Sequence, residues 1–168
     1  MSSLFESAQQ AVEEATAILV QETRREWQAQ DKIASGKAFR SIVGKTGAGA
    51  DFVFGEVYVK KYMIYQDKGV KPHRVKIGRA MIQGLTRWVR LKLRNVPASK
   101  RKSVAWAIAK KMQKEGMPTR NAKRYSPSGR VLNWSKHALD SAQPLIDVVI
   151  DKHVGSGIDR EISNIIKS

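Results

Sequence analysis

The stretch AFRSIVGKTGAGADFVFGEVYV, Ala38 to Val59, is where the chain changes its grammar. Its two ends, AFRSIVG and DFVFGEVYV, are rich in β-branched and aromatic residues, which fit a pleated, half-buried surface. The glycine-rich GKTGAGAD between them is expected to be the flexible tip of an antiparallel hairpin. The same tip invites comparison with a phosphate loop. That loop needs its Lys-Thr after the glycines and at the start of a helix, whereas here Lys45 and Thr46 precede Gly47 and Gly49 and a strand follows. Nucleotide binding is therefore not expected.

Upstream, the pattern is helical. Phe5, Ala8, Val12, Ala15 and Leu19 recur at spacings of three and four, and no glycine or proline intervenes before Gly36. Ser3 followed by Glu6 fits a capping box, so a helix is expected over residues 4–30. Together with the hairpin this sets the fold class as α+β: a long N-terminal helix, a small antiparallel β-sheet over residues 38–78 that includes a corner, two amphipathic basic helices and a C-terminal helical segment.

The corner is YQDKGVKPHRVKIG, Tyr65 to Gly78. Gly69 is free to take positive φ, Pro72 fixes φ near −65°, and the residue before a proline is pushed out of the helical region, so the chain must bend here. HRVKI reads as a short strand after the bend. Tyr62 and Tyr65 offer ring faces and hydroxyls to anchor the corner or to meet a neighbour.

Two helices follow within residues 80–115. Met81, Ile82, Leu85, Trp88 and Val89 share one face of the first, while Arg87, Arg90 and Arg94 share another and Lys92 must snorkel from the apolar side. Ser99 is placed to cap the second, which turns Val104, Ala105, Ile108 and Met112 inward and Lys100, Lys110, Lys111 and Lys114 outward. Trp106 falls off the inward stripe, free for a second contact. Gly116 and Pro118 stop the helix. Residues 118–135 read as an extended loop or arm. Residues 136–168 read as a C-terminal helical segment that starts near Pro144 and is kinked or split at Gly155 and Gly157.

At 168 residues, 42% hydrophobic and 27% charged, the chain has the composition of one globular domain. No apolar run is long enough to cross a bilayer, and the N-terminus is acidic where a signal peptide is basic, so synthesis in a cytoplasm without membrane contact is expected. With no cysteine, and with His73, His137 and His153 scattered, no metal or other cofactor is expected.

The net charge of +16 is unevenly spread. Residues 1–59 hold six bases and eight acids, residues 60–130 hold 21 bases and two acids, and residues 131–168 hold four bases and five acids. A block of +19 in the middle calls for an anionic neighbour, either a polyanion or an acidic protein surface. Within that block the only carboxylates are Asp67 and Glu115, too few for acid-base work or for a nuclease's divalent metal, and no serine, threonine or cysteine stands beside Asp67 and His73. Catalysis is not expected. Zinc-finger, RNA-binding aromatic and basic-zipper signatures are also missing, so any nucleic-acid contact should run through phosphates and ignore sequence.

The order of these pieces resembles the tail-completion and head-tail joining proteins of tailed bacteriophages. Arg40, Ser41 and Ile42 fit a short strand motif of that family; Tyr62, Tyr65, Gly69, Pro72 and His73 fit its tyrosine-glycine-proline-histidine corner; Ile108, Ala109 and Gly116 fit the end of a following helix. The likeness spans residues 36–120. Gln66 and Asp67 stand where the family often has glutamate, Val70 and Lys71 lengthen the link to the proline, and the basic load is heavier. The resemblance implies a non-enzymatic virion protein at the head-tail junction, assembled as a homo-oligomeric ring, hexameric or dodecameric, between the head connector and tail tube proteins. It further implies that Arg87, Arg90, Arg94, Lys100, Lys110, Lys111 and Lys114 face the DNA channel, in nonspecific contact with packaged DNA, or an acidic partner. Tyr62, Tyr65, Gly69, Pro72 and His73 would shape a corner or subunit interface. The alternative is a free, sequence-nonspecific nucleic-acid-binding protein.

Overall fold

The structure, a computed structural model, describes residues 3–32, 34–126 and 128–167. The class is α+β, with six α-helices, α1 (Ser3–Ala29), α2 (Lys37–Arg40), α3 (Lys61–Lys68), α4 (Arg79–Lys92), α5 (Arg101–Glu115) and α6 (Trp134–Lys167), and two strands, β1 (Val43–Ala48) and β2 (Val53–Tyr58). These divide into two compact units. The first comprises Met1–Glu26, Arg40–Val59 and Ser135–Ser168; the second comprises Trp27–Phe39 and Lys60–Trp134.

In the first unit, β1 and β2 pair antiparallel with Lys45 opposite Glu56 and Thr46 opposite Gly55. A lone two-stranded hairpin is marginal in water, so this one depends on α1. It lies flush on that helix because Gly44 and Gly55 present no side chain: a Cβ at Gly44 would come 2.7 Å from the Thr16 methyl, and one at Gly55 would fall on the Thr16 hydroxyl. That hydroxyl already donates to the Val12 carbonyl at 2.7 Å. Arg24 donates to the carbonyl of fully buried Ile42 at 2.8 Å, fixing where the chain enters β1. From the other side α6 runs antiparallel to α1, with Gly157 against Ser7 and His153 donating from Nε2 to Glu14 at 2.8 Å. The His153 bond, helped by Lys152, holds the Glu14 carboxyl below its usual range.

The second unit is built on two tryptophans. Trp27 meets Trp134 edge-on, with ring centroids 5.5 Å apart and planes at 88°, an arrangement worth about 0.5–1.5 kcal/mol beyond area burial. The indole N–H of Trp134 donates to the carbonyl of buried Met63 on α3 at 3.2 Å. Val75, Ile82, Val89, Ala105 and Ala109 complete the apolar interior, where α4 packs on α5.

Several expectations need correction. Ala38–Arg40 is a helical turn, and β1 begins only at Val43, running through the glycines assigned to the tip. The turn is confined to Ala50 and Asp51, with the Gly49 N–H donating to Phe52 O at 2.8 Å. The sheet does not extend to residue 78. Lys61–Lys68 is helical because Met63 and Asp67, four apart, bury one face, and HRVKI forms no strand. Instead Pro72 starts a 3-10 turn closed by the Val75 N–H on Pro72 O at 3.1 Å. Ser99 caps nothing, since Pro97 launches a 3-10 turn over Ala98–Lys100 that takes Ser99 into its middle. The C-terminal helix begins ten residues before Pro144 and passes it without a break. Pro144 stands on the exposed side, where its ring has room, and Gly157 is a packing contact where an interruption was expected.

On α1 the expected apolar stripe is only half-buried, while Ser7, Ala11, Thr16, Thr23 and Trp27 are buried. Small residues line the faces where the hairpin and α6 come closest. The Ser3 hydroxyl expected to cap α1 lies outside the described side chains. Lys92, expected to snorkel to solvent, instead pairs with Asp31 at 2.6 Å.

Replacing Gly55 by alanine should lower stability by about 1–3 kcal/mol through overpacking on Thr16. Adding Thr16→Ala should recover part of that loss, because the next obstacle to the new Cβ is Val12 at 3.2 Å. Thermal melts of the two single variants and the double variant measure the coupling, and strictly additive losses would show that the hairpin does not sit on Thr16.

Candidate interaction surface

Every residue singled out in advance as a candidate contact lies in the second unit. The corner is organised by a reciprocal pair of backbone hydrogen bonds, Val70 N–H to Met117 O and Met117 N–H to Val70 O, both 2.8 Å. Each partner is preceded by a glycine that ends a helix. Gly69 closes α3 at φ +74°, ψ 177°, and Gly116 closes α5 at φ +88°, ψ −174°. That region of backbone space is essentially reserved for glycine. Space is as tight as conformation: a Cβ on Gly69 would come 2.6 Å from Met117 O, and one on Gly116 would come 2.8 Å from Val70 O and 3.2 Å from the Pro72 ring. Thus Gly69, Pro72 and Gly116, far apart in sequence, form one clasp.

The remaining corner residues point outward. Tyr62 and Tyr65 stand exposed on α3, and Pro72 and His73 are exposed on the turn beyond it. Asp67 is buried within α3, its carbonyl accepting from the Asn133 N–H at 2.9 Å. Lys32 adds bonds to the carbonyls of Gln66 at 3.2 Å and Val131 at 2.8 Å, so residues 131–133 are tied down beside α3. Among the described residues no three His, Asp or Glu side chains are grouped so as to hold a metal ion.

The basic residues are all exposed, but they occupy different kinds of backbone. Arg87 and Arg90 lie on α4 and Lys110, Lys111 and Lys114 on α5. Arg94 lies beyond the end of α4, and Lys100 belongs to the turn that leads into α5. The outer sides of both helices carry almost no acid. α4 has none, and the Glu115 carboxylate accepts from the Arg120 backbone N–H at 3.1 Å. None of these seven bases forms an ion pair among the described residues.

Two aromatic side chains accompany them. Trp88, expected in the interior with Val89, is 40% exposed, since one residue along a helix turns the side chain by about 100° and only Ile82 and Val89 lie at the centre of the buried face. Trp106 is 42% exposed and sits four residues from both Lys102 and Lys110, so base, ring and base share one stripe of α5. Lys102 belongs to this stripe although it was not singled out beforehand; its spacing from Trp106 carried the signal. Comparison with known protein families, with curated proteins and with solved structures gave no match.

Gly116→Ala should cost about 1–3 kcal/mol from backbone strain alone, and Gly129→Ala serves as the control. Gly129 also has positive φ, +66°, but nothing lies within 4 Å of its would-be Cβ. Denaturant midpoints compare the two; equal losses would mean that the clasp adds nothing to the strain of positive φ.

Proposed function

We propose that this chain is a structural subunit of a bacteriophage neck, a head-tail joining or tail-completion protein that works as a ring and has no catalytic role. The observation that carries the reading is the clasp. The glycine and proline of the corner motif and the terminal glycine of the helix motif, which match the family separately in sequence, are neighbours in the fold through the Val70–Met117 bridge. A corner built from backbone, with its tyrosines turned outward, suits a subunit whose task is to present surfaces. The basic α4–α5 face then has packaged DNA or an acidic protein surface opposite it.

The decisive experiment is electron microscopy of infections in which the chain is not made. DNA-filled heads and separate tails should accumulate, and adding the purified chain should join them. Normal tailed particles in its absence would remove the reading.

A second reading, a free nucleic-acid-binding protein with no preference for sequence, is favoured by Trp106 between Lys102 and Lys110, where a ring and two cations can take a base and its phosphates. On this reading Arg90→Glu with Lys111→Glu should weaken single-stranded DNA binding and reduce the slope of log K against log salt by about 1.4, roughly 0.7 per lost phosphate contact. An unchanged slope in a salt titration would show that the basic helices are not the contact.

A further inference from the structure

The length of α6 sets two opposite stripes apart. One buries Ala138, Ala142, Val149 and Gly157 within the first unit. The other, on helical spacing, runs Asp140, Asp147, Asp151, Ile158, Ile162, and every member is exposed. It is acidic in its first half and apolar in its second, where Ile158 is 46% and Ile162 49% exposed, with Ile166 beside them at 78%. The three aspartates have no cationic partner among the described residues. The basic surfaces of α4 and α5 are its complement: unpaired Arg87 and Arg90 on α4, and unpaired Lys110, Lys111 and Lys114 on α5, where Trp106 stands exposed between Lys102 and Lys110.

We propose that the outer stripe of α6 docks on the α4–α5 face of a second copy of this chain, in a head-to-tail contact that sets Asp140, Asp147 and Asp151 against the bases and Ile158 and Ile162 against Trp106. Lengths agree. The acidic half spans 11 residue steps, about 16 Å, within the roughly 21 Å of the 14-residue α4 or 22 Å of the 15-residue α5.

Other occupants leave one surface unserved. Nucleic acid would neutralise the bases but would repel the aspartates and leave the isoleucines in water. Pairing α6 with its own copy is poor in either direction: parallel helices set carboxylate against carboxylate, and antiparallel helices set the carboxylates against isoleucines. A head-to-tail contact serves both surfaces at once, and repetition of such a contact makes a ring or a filament.

The inference rests on the neck reading only in taking a repeated subunit as the assembled form. Unjoined heads and tails without the chain, together with a purified chain that stays monomeric, would discard this contact and leave the neck reading standing. Self-association with normal particles would do the reverse.

The test is sedimentation velocity on the full chain, with melting curves to show that each variant is folded. Wild type should self-associate. Ile158→Asp with Ile162→Asp, and separately Arg90→Glu with Lys110→Glu, should each weaken association by more than about tenfold. An equimolar mixture of the two variants should form a dimer and nothing larger, because each mixed pair keeps one intact contact. If the isoleucine variant does not fold, Asp147→Lys with Asp151→Lys takes its place, and combining it with the basic-face changes in one chain should restore association. A monomeric wild type, a basic-face variant that associates as wild type does, or a mixture that stays monomeric would each overturn the proposal.

Discussion

The two hydrogen bonds between Val70 and Met117 fix the ends of two helices against each other at a single bridge, and the presentation of the second unit's surface follows from that constraint. Because Gly69 and Gly116 both take a conformation closed to other residues, α3 and α5 stop abruptly, with no fraying into the corner. Pro72 can then rest its ring beside Gly116, and the chain turns into α4 with its direction already decided. Backbone atoms make the clasp, so the side chains around it, Tyr62, Tyr65 and His73 among them, are left to face outward. A corner held by side-chain packing would have consumed the residues that this one exposes.

Much of this was legible in the sequence, and the parts that were not share a cause. Elements whose evidence is local were found: α1 from its spacing, α4 and α5 from their amphipathic pattern, and the bend at Gly69 and Pro72 from the dihedral limits of those residues. Misreadings arose where a neighbour distant in sequence decides. The sheet is expected to include KYMIYQDK within residues 38–78, but Met63 and Asp67 have an interior to face and make it a helix. Pro144 suggests a start and Gly157 a break in α6, yet the proline has solvent beside it and is passed, and the glycine meets Ser7 across a narrow gap. Ser7 and Thr16 show the same blindness from the other side. Periodicity looks for large apolar residues, whereas the closest approaches on α1 are made by small hydroxylated ones. For the surface, the basic block was plain from composition, but the outward turn of Trp88 depends on which part of a broad apolar arc the core uses.

The chain disposes of its positive charge in two ways. Where a base is drawn inward it bonds mostly to carbonyl oxygens, with Arg24 on Ile42, Lys32 on Gln66 and Val131, and Arg101 on Val96 at 3.2 Å. These acceptors are neutral, so they orient the cation without cancelling it. Carboxylates inside the basic block are scarce, and the field of the block is left nearly intact for whatever lies outside. Self-repulsion works against the compactness of the second unit, and the tryptophan pair with buried Met63, Val75, Ile82 and Val89 is the apolar counterweight.

A sheet of two strands has no interior strand, so β1 and β2 each carry an outer row of amide and carbonyl groups, the kind of edge that another extended chain zips onto. Lys45 and Glu56, directly opposed at the middle of the ladder, put a charge of each sign on those rows, and glycines at 44, 47 and 55 weaken the intrinsic pull toward longer sheets. A third strand arriving at either side would have to strip water from one of the two ions. The hairpin therefore discourages sticky, amyloid-like stacking, and two of its three glycines, Gly44 and Gly55, are those that let it settle on α1.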